Sequence, residues 1–94
     1  MLAVLYQELT VWKRIDDGAA VRYRCLRSLA TNKYLVQSAD FYRLPLDHQQ
    51  ISTFEAQFVE LLCESDPAER AGEFDSLEEA IDAHERGFGV AARE

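Results

Sequence analysis

The stretch Leu46-Asp47-His48-Gln49-Gln50-Ile51-Ser52-Thr53-Phe54-Glu55-Ala56-Gln57-Phe58-Val59-Glu60-Leu61-Leu62-Cys63-Glu64 decides how the rest of the chain must be arranged. Its apolar residues Ile51, Phe54, Phe58, Leu61 and Leu62 fall at i, i+3, i+7, i+10 and i+11, one stripe of an amphipathic helix over 47–64. A stripe this long requires a hydrophobic surface to lie on. Asp47 is placed to cap the helix, Gln50 to complete a capping box, and Leu46 to staple onto Ile51. Pro45 holds the residue before it extended, which prevents an earlier start.

Upstream, that surface is written as strands. Residues 4–15 put Leu5, Leu9, Val11 and Ile15 on one face and Tyr6, Glu8, Thr10, Trp12 and Arg14 on the other. Asp16-Asp17-Gly18 predicts a tight turn, with Gly18 taking a positive φ. From Val21 to Ala30, Val21, Tyr23 and Cys25 alternate with Arg22, Arg24 and Leu26. Thr31-Asn32-Lys33 makes the next turn around a left-handed Asn32. A third strand over Tyr34–Tyr42 follows, and such short connections imply an antiparallel meander.

Downstream, Asp66 caps and Pro67 opens a single helical turn that Gly72 ends. A last helix is expected over Leu77–Arg86, with Ser76 and Glu79 as a second capping box. Leu77, Ala80, Ile81 and His84 form its inner stripe. Gly87 suits its C-terminal cap, Phe88 could fold back onto it, and residues 89–94 are expected to fray. The reading is one α+β domain over residues 1–88, β-β-β-α-α. Two helices pack on one face of a three-stranded antiparallel sheet and leave the other face open.

The 94 residues carry a formal net charge of −7. Residues 1–43 hold seven Lys/Arg against four acids, net +3, and residues 44–94 three Arg against thirteen acids, net −10. Basic strands and acidic helices therefore complement one another, while the acidic total disfavours nucleic acid at long range. Cys25 and Cys63 lack CxxC spacing and read as small buried hydrophobes in a reducing compartment. Met1-Leu2-Ala3-Val4-Leu5 is too short for a membrane span and has no basic lead, so a cytoplasmic protein is expected.

The open face is the candidate site. Tyr6, Trp12, Arg14, Arg22, Arg24 and Leu26 would share it, and Trp, Tyr and Arg are enriched at protein interfaces. The same types serve single-stranded nucleic acid, with rings for stacking and guanidinium groups for phosphates. His48 is expected to be exposed and His84 half-buried. Cys25, Cys63 and His84 have no metal-ligand spacing, and the acids from Glu73 to Asp82 are explained by capping and the helix dipole. The four glycines are scattered at turns and caps and build no phosphate loop, so no cofactor is expected.

The run Phe74-Asp75-Ser76-Leu77-Glu78-Glu79-Ala80-Ile81-Asp82-Ala83-His84, after a meander and a long helix, resembles short uncharacterised bacterial proteins. The resemblance implies a bacterial cytoplasmic origin and brings no activity. The residues thus point to a non-enzymatic adaptor or regulatory domain that recognises a protein partner or a second copy. The alternative is nucleic-acid association through the same face, and a small-molecule site near His84 is a third reading.

Overall fold

The computed structural model describes residues 4–92, and side chains as far as Gly87. Its elements are β1 (Tyr6–Asp16), β2 (Ala19–Ser28), β3 (Tyr34–Arg43), α1 (His48–Glu64), α2 (Pro67–Ala71) and α3 (Leu77–Ala92). The strands form an antiparallel sheet in the order β1-β2-β3, so the expected meander is present.

Local chemistry explains most element ends. Asp47 caps α1 by accepting from the N–H groups of Gln49 and Gln50. Asp66 accepts from Ala68 N–H, Pro67 opens α2, and Gly72 ends it at φ 80°. Ser76 Oγ accepts from Glu79 N–H at 3.1 Å, the expected cap of α3. Asn32 sits at φ 64°, the left-handed conformation its short amide tolerates. The first turn closes differently from expectation. Gly18 is not left-handed, and the turn is held by Gly18 N–H donating to Asp16 Oδ1 at 2.9 Å. A bulge between Arg14 and Asp16 supplies the remaining bend.

Two further expectations need correction. The last helix does not stop at Gly87 but runs through it to Ala92; residues 93 and 94, and the Phe88 side chain, lie outside the described residues. A glycine inside a helix costs about 1 kcal/mol relative to alanine, which weakens a helix without ending it.

The second correction concerns the layers: the helices do not share one face of the sheet. Ala80, Leu77 and Ile81 of α3 pack with Tyr23, Cys25 and Val36, joined by Leu9, Val11 and Val21. Phe58 of α1 packs with Leu26 and Leu35, beside Ala68 and Ala71. Cys25 and Leu26 are neighbours in one strand and so point to opposite faces. The sheet is sandwiched, with α1 and α2 on one side and α3 on the other. The crossing is made at the β3 edge, where Tyr34 and Phe74 exchange two backbone hydrogen bonds of 2.8 Å. Both sheet faces carry apolar residues, Cys25 and Val36 on one and Leu26 and Leu35 on the other, and each needs cover.

Gln37 fixes α1 and α2 to the sheet. It is the extra residue of a bulge, because Arg24 pairs with Ser38 while Cys25 pairs with Val36. Its buried side-chain amide donates to the Phe58 carbonyl at 3.4 Å and accepts from Arg70.

Candidate functional site

The register aligns the candidate residues across the sheet. Trp12 lies opposite Arg22, which lies opposite Asp40; Arg14 lies opposite Ala20, which lies opposite Tyr42. All these side chains project to the α1 side, where the helix supplies Phe54, Glu55 and Phe58.

Arg24 and Leu26, expected on an open face, are each only 2% exposed. Arg24 lies beneath α1 with its guanidinium carbon 4.8 Å from the centre of the Phe58 ring. Its Nε donates to Asp40 Oδ2 at 3.0 Å, and its Nη2 donates to Glu55. Glu8 stands 4.0 Å from Nη1. Burial opposes the charge on Arg24, but the hydrogen bonds and charges of Glu55 and Asp40 outweigh it and raise its pKa. Burial also raises the pKa of Asp40 from its ordinary value, against the pull of Arg24. The guanidinium is the firmly charged member of the pair, because its usual pKa is far above neutrality.

Arg22 continues this network outward. Its Nη2 donates to Glu55 Oε1 at 3.0 Å and lies 3.5 Å from Asp40 Oδ2. Its guanidinium carbon sits 5.6 Å from the Trp12 ring centre and 5.4 Å from that of Tyr42. Trp12 and Tyr42 pack at 5.7 Å, and Tyr42 meets Phe54 edge-on at 5.5 Å. Trp12 is nevertheless 55% exposed. Beside it, Trp12, Arg14, Tyr42, Leu44 and Leu46 line an open concavity of about 320 Å³. Arg14 is exposed and holds Asp17 at 2.8 Å.

Tyr6, the sixth candidate, stands apart at the other end of the sheet. Its hydroxyl donates to Asp66 Oδ1 at 2.5 Å, tying β1 to the start of α2. Burial first, and that hydrogen bond second, push its pKa to about 12. The structure thus brings together Trp12, Arg14 and Arg22, buries Arg24 and Leu26, and separates Tyr6.

The residues that the alternation of β2 did not reveal are Asp40, Tyr42, Phe54 and Glu55. A signal was present in Glu55, which lies between Phe54 and Phe58 on the flank of the α1 stripe and points a carboxylate toward the strand arginines.

A second concavity, of about 430 Å³, lies along the β3 edge, where Arg70, Phe74, Ala83 and His84 face the Val36–Ala39 segment. His84 is half-buried as expected, edge-on to Tyr23 at 6.3 Å, and burial lowers its pKa. His48 is exposed. Cys25 is fully buried, and burial pushes its thiol to about 11. Cys63 is exposed rather than buried, because it falls off the apolar stripe of α1. Among the described residues no three His, Cys, Asp or Glu side chains converge as a metal site, and no helix is long and apolar enough to cross a membrane.

The expected complementarity of basic strands and acidic helices is visible in the Arg22/Arg24–Glu55 contacts and in Lys13–Glu85 at 3.0 Å. The chain matches no protein-family model, no curated protein and no solved structure.

Proposed function

We propose that this chain is a non-enzymatic protein-interaction domain of the bacterial cytoplasm, acting as an adaptor or regulator through the Trp12 end of the sheet. The observation that carries the reading is an exposed indole held in place from two sides, by Arg22 and by Tyr42. A large aromatic ring already fixed in position loses little side-chain entropy on binding, which is what central interface residues require. The adjoining concavity between Arg14, Leu44 and Leu46 suits an apolar side chain of a partner.

The nucleic-acid reading is less well supported by the same residues. Arg22 and Arg24 would have to meet phosphates, yet both are engaged by Asp40 and Glu55. A further anion would meet those two carboxylates.

The test is affinity capture with the tagged chain and with Trp12→Ala, each in nuclease-treated and high-salt arms. A protein or second copy retained in every arm and lost with Trp12→Ala, by about 2 kcal/mol or more in affinity, is expected. Binding that Trp12→Ala leaves unchanged would remove this surface. Loss of all bound material on nuclease or salt treatment would favour nucleic acid instead.

A further inference from the structure

We propose that the free edge of β1 pairs with β1 of a second copy, antiparallel and centred on Val11, to make a six-stranded sheet across a two-fold axis. This deepens the interaction-domain reading and rests on it.

The two edges of the sheet are unlike. On β3, Tyr34 is bonded to Phe74, and Arg70 donates to the Gln37 carbonyl at 3.4 Å. On β1, an eleven-residue strand at the end of the sheet order, no described segment lies alongside. Which backbone groups are free follows from one hydrogen bond. Leu29 N–H donates to the Leu5 carbonyl at 3.0 Å, which makes these two an exchanging pair. Such pairs recur at every second residue of an antiparallel ladder. Leu5, Gln7, Leu9, Val11 and Lys13 therefore turn their amide groups to β2. Tyr6, Glu8, Thr10, Trp12 and Arg14 turn theirs to the open edge. An unpaired row of this length is a template for another strand unless the sequence blocks it.

The charges choose the register. Opposed residues of an antiparallel pair share a sheet face, so a strand meeting its own copy must oppose even with even and odd with odd. Centring on Trp12 would set Arg14 against Thr10 and leave Glu8 facing the strand end beyond the bulge, with no opposite charges matched. Centring on Thr10 would set Glu8 against Trp12 and Arg14 against Tyr6, with no opposite charges matched. Centring on Val11 sets Glu8 against the partner subunit's Arg14, and by symmetry does so twice. It also places Thr10 against the partner subunit's Trp12, both with outward amide groups, and covers the exposed indole. The four outward pairs from Glu8 to Arg14 would exchange about eight backbone hydrogen bonds. Opposite charges directly across a strand pair stabilise it, and like charges destabilise it. The existing partners of both groups leave them available. Arg14 and Asp17 form a fully exposed ion pair, and Glu8 is half exposed at 4.0 Å from Arg24.

The first measurement is sedimentation equilibrium of the full chain from micromolar to about millimolar concentration, where a dimer is expected. Register is read in a Cys63→Ser background. At the centre, two copies of Val11 form a non-hydrogen-bonded pair about 4.5 Å apart between Cα atoms, within disulfide reach. Val11→Cys should therefore cross-link on mild oxidation, while Thr10→Cys and Trp12→Cys, each displaced from its own copy, should not. Independently, Arg14→Glu should weaken the dimer at least tenfold, and adding Glu8→Lys should restore it. Circular dichroism confirms that each variant is folded, and the charge pair decides the register if Val11→Cys is not. A monomer at millimolar concentration, a cross-link at Thr10 or Trp12 instead of Val11, or no recovery in the charge swap would each overturn the proposal. A monomer that still captures a different protein through Trp12 would end self-pairing and leave the interaction-domain reading standing.

Discussion

The two faces of this sheet are covered by different chemistry. Under α3, Tyr23, Cys25, Val36 and Ala80 meet as an apolar layer, and polar contacts are confined to its rim. Under α1 there is a short apolar patch at Leu26, Leu35 and Phe58. The remainder of that face is two arginines held between two carboxylates and the rings of Trp12, Tyr42 and Phe58. A strand face that alternates arginines is therefore not of necessity a solvent face. It can be an interior face if the covering element brings carboxylates at the right spacing, here Glu55 with Asp40 beside it. The two solutions should fail differently, because an apolar layer tolerates loss by degrees while a buried charge network does not.

The sharpest way to break the comparison is Arg24→Ala. It leaves Asp40 buried and without its closest cation, and a fall of about 3–5 kcal/mol in unfolding free energy is expected. The pH dependence of the variant gives a second signature. Burial already raises the pKa of Asp40, and without Arg24 nothing as close opposes it. A raised carboxyl pKa favours the folded state at low pH, and removing Arg24 raises it further, so Arg24→Ala should recover more stability than the parent as pH falls. Arg24→Met with Asp40→Leu, which removes both charges together, should lose far less than Arg24→Ala alone. Urea unfolding of the three proteins decides this, and equal losses in single and double variants would mean that the pair matters only as packing.

A smaller effect is expected from Ala80→Leu on the opposite face. Ala80 is 1% exposed and packs with Tyr23, Cys25 and Val36 of the sheet. Extra methylenes there force α3 outward, which typically costs about 1–3 kcal/mol. Because the layer is apolar and His84 beside it is neutral there, this loss should be nearly independent of pH between 7 and 9. A larger loss than for Arg24→Ala would invert the ranking of the two faces.

What was legible in the sequence follows the same division. The three strands, the caps at Asp47, Asp66 and Ser76, the one-turn helix opened by Pro67 and the left-handed Asn32 all rest on interactions within a few residues, and each was readable. Choosing the sheet face for α1 was not. Periodicity shows that Ile51, Phe54 and Phe58 share a stripe but not which strand face they meet. Arg22 and Arg24, read alone, look like residues directed to water. Their burial depends on Asp40, 16 residues beyond Arg24, and on Glu55 in another element, so no local pattern contains it. The same limit applies to the candidate site. Strand alternation puts Trp12, Arg14, Arg22 and Leu26 on one face, but not which part of that face is covered: the cover over Leu26 is supplied by Phe58, 32 residues later in sequence. Gly87 is the opposite case: it is a local signal for a helix end, yet α3 runs through it to Ala92.

The smallest expected effect concerns a device that both faces share. On each, a tyrosine hydroxyl of the sheet donates to a carboxylate of the helical layer at 2.5 Å: Tyr6 to Asp66 on one, Tyr23 to Glu85 on the other. Tyr23 is pushed to about 12 by burial and then by Glu85, and Glu85 is lowered by that hydrogen bond and then by Lys13. The two shifts act at opposite ends of the pH scale. A tyrosine whose folded pKa is raised contributes stability that is complete below its usual value near 10 and is lost as pH climbs toward 12. A glutamate whose folded pKa is lowered contributes stability that is complete above its usual value near 4.5 and is lost as pH falls through the folded one. The Tyr23–Glu85 contact is thus intact across the plateau and dismantled at both edges. Tyr23→Phe should cost about 1 kcal/mol on the plateau. Relative to the parent, it should also reduce the decline above pH 10 and the decline below pH 4.5 together. Tyr6→Phe should reduce the alkaline decline by a similar amount, because Tyr6 is also raised to about 12. At the acid edge it should leave the Glu85 contribution untouched. Urea unfolding at pH 3.5, 7 and 11 separates the two, and if Tyr23→Phe altered only one edge, the hydroxyl and the carboxylate would not be acting as one contact.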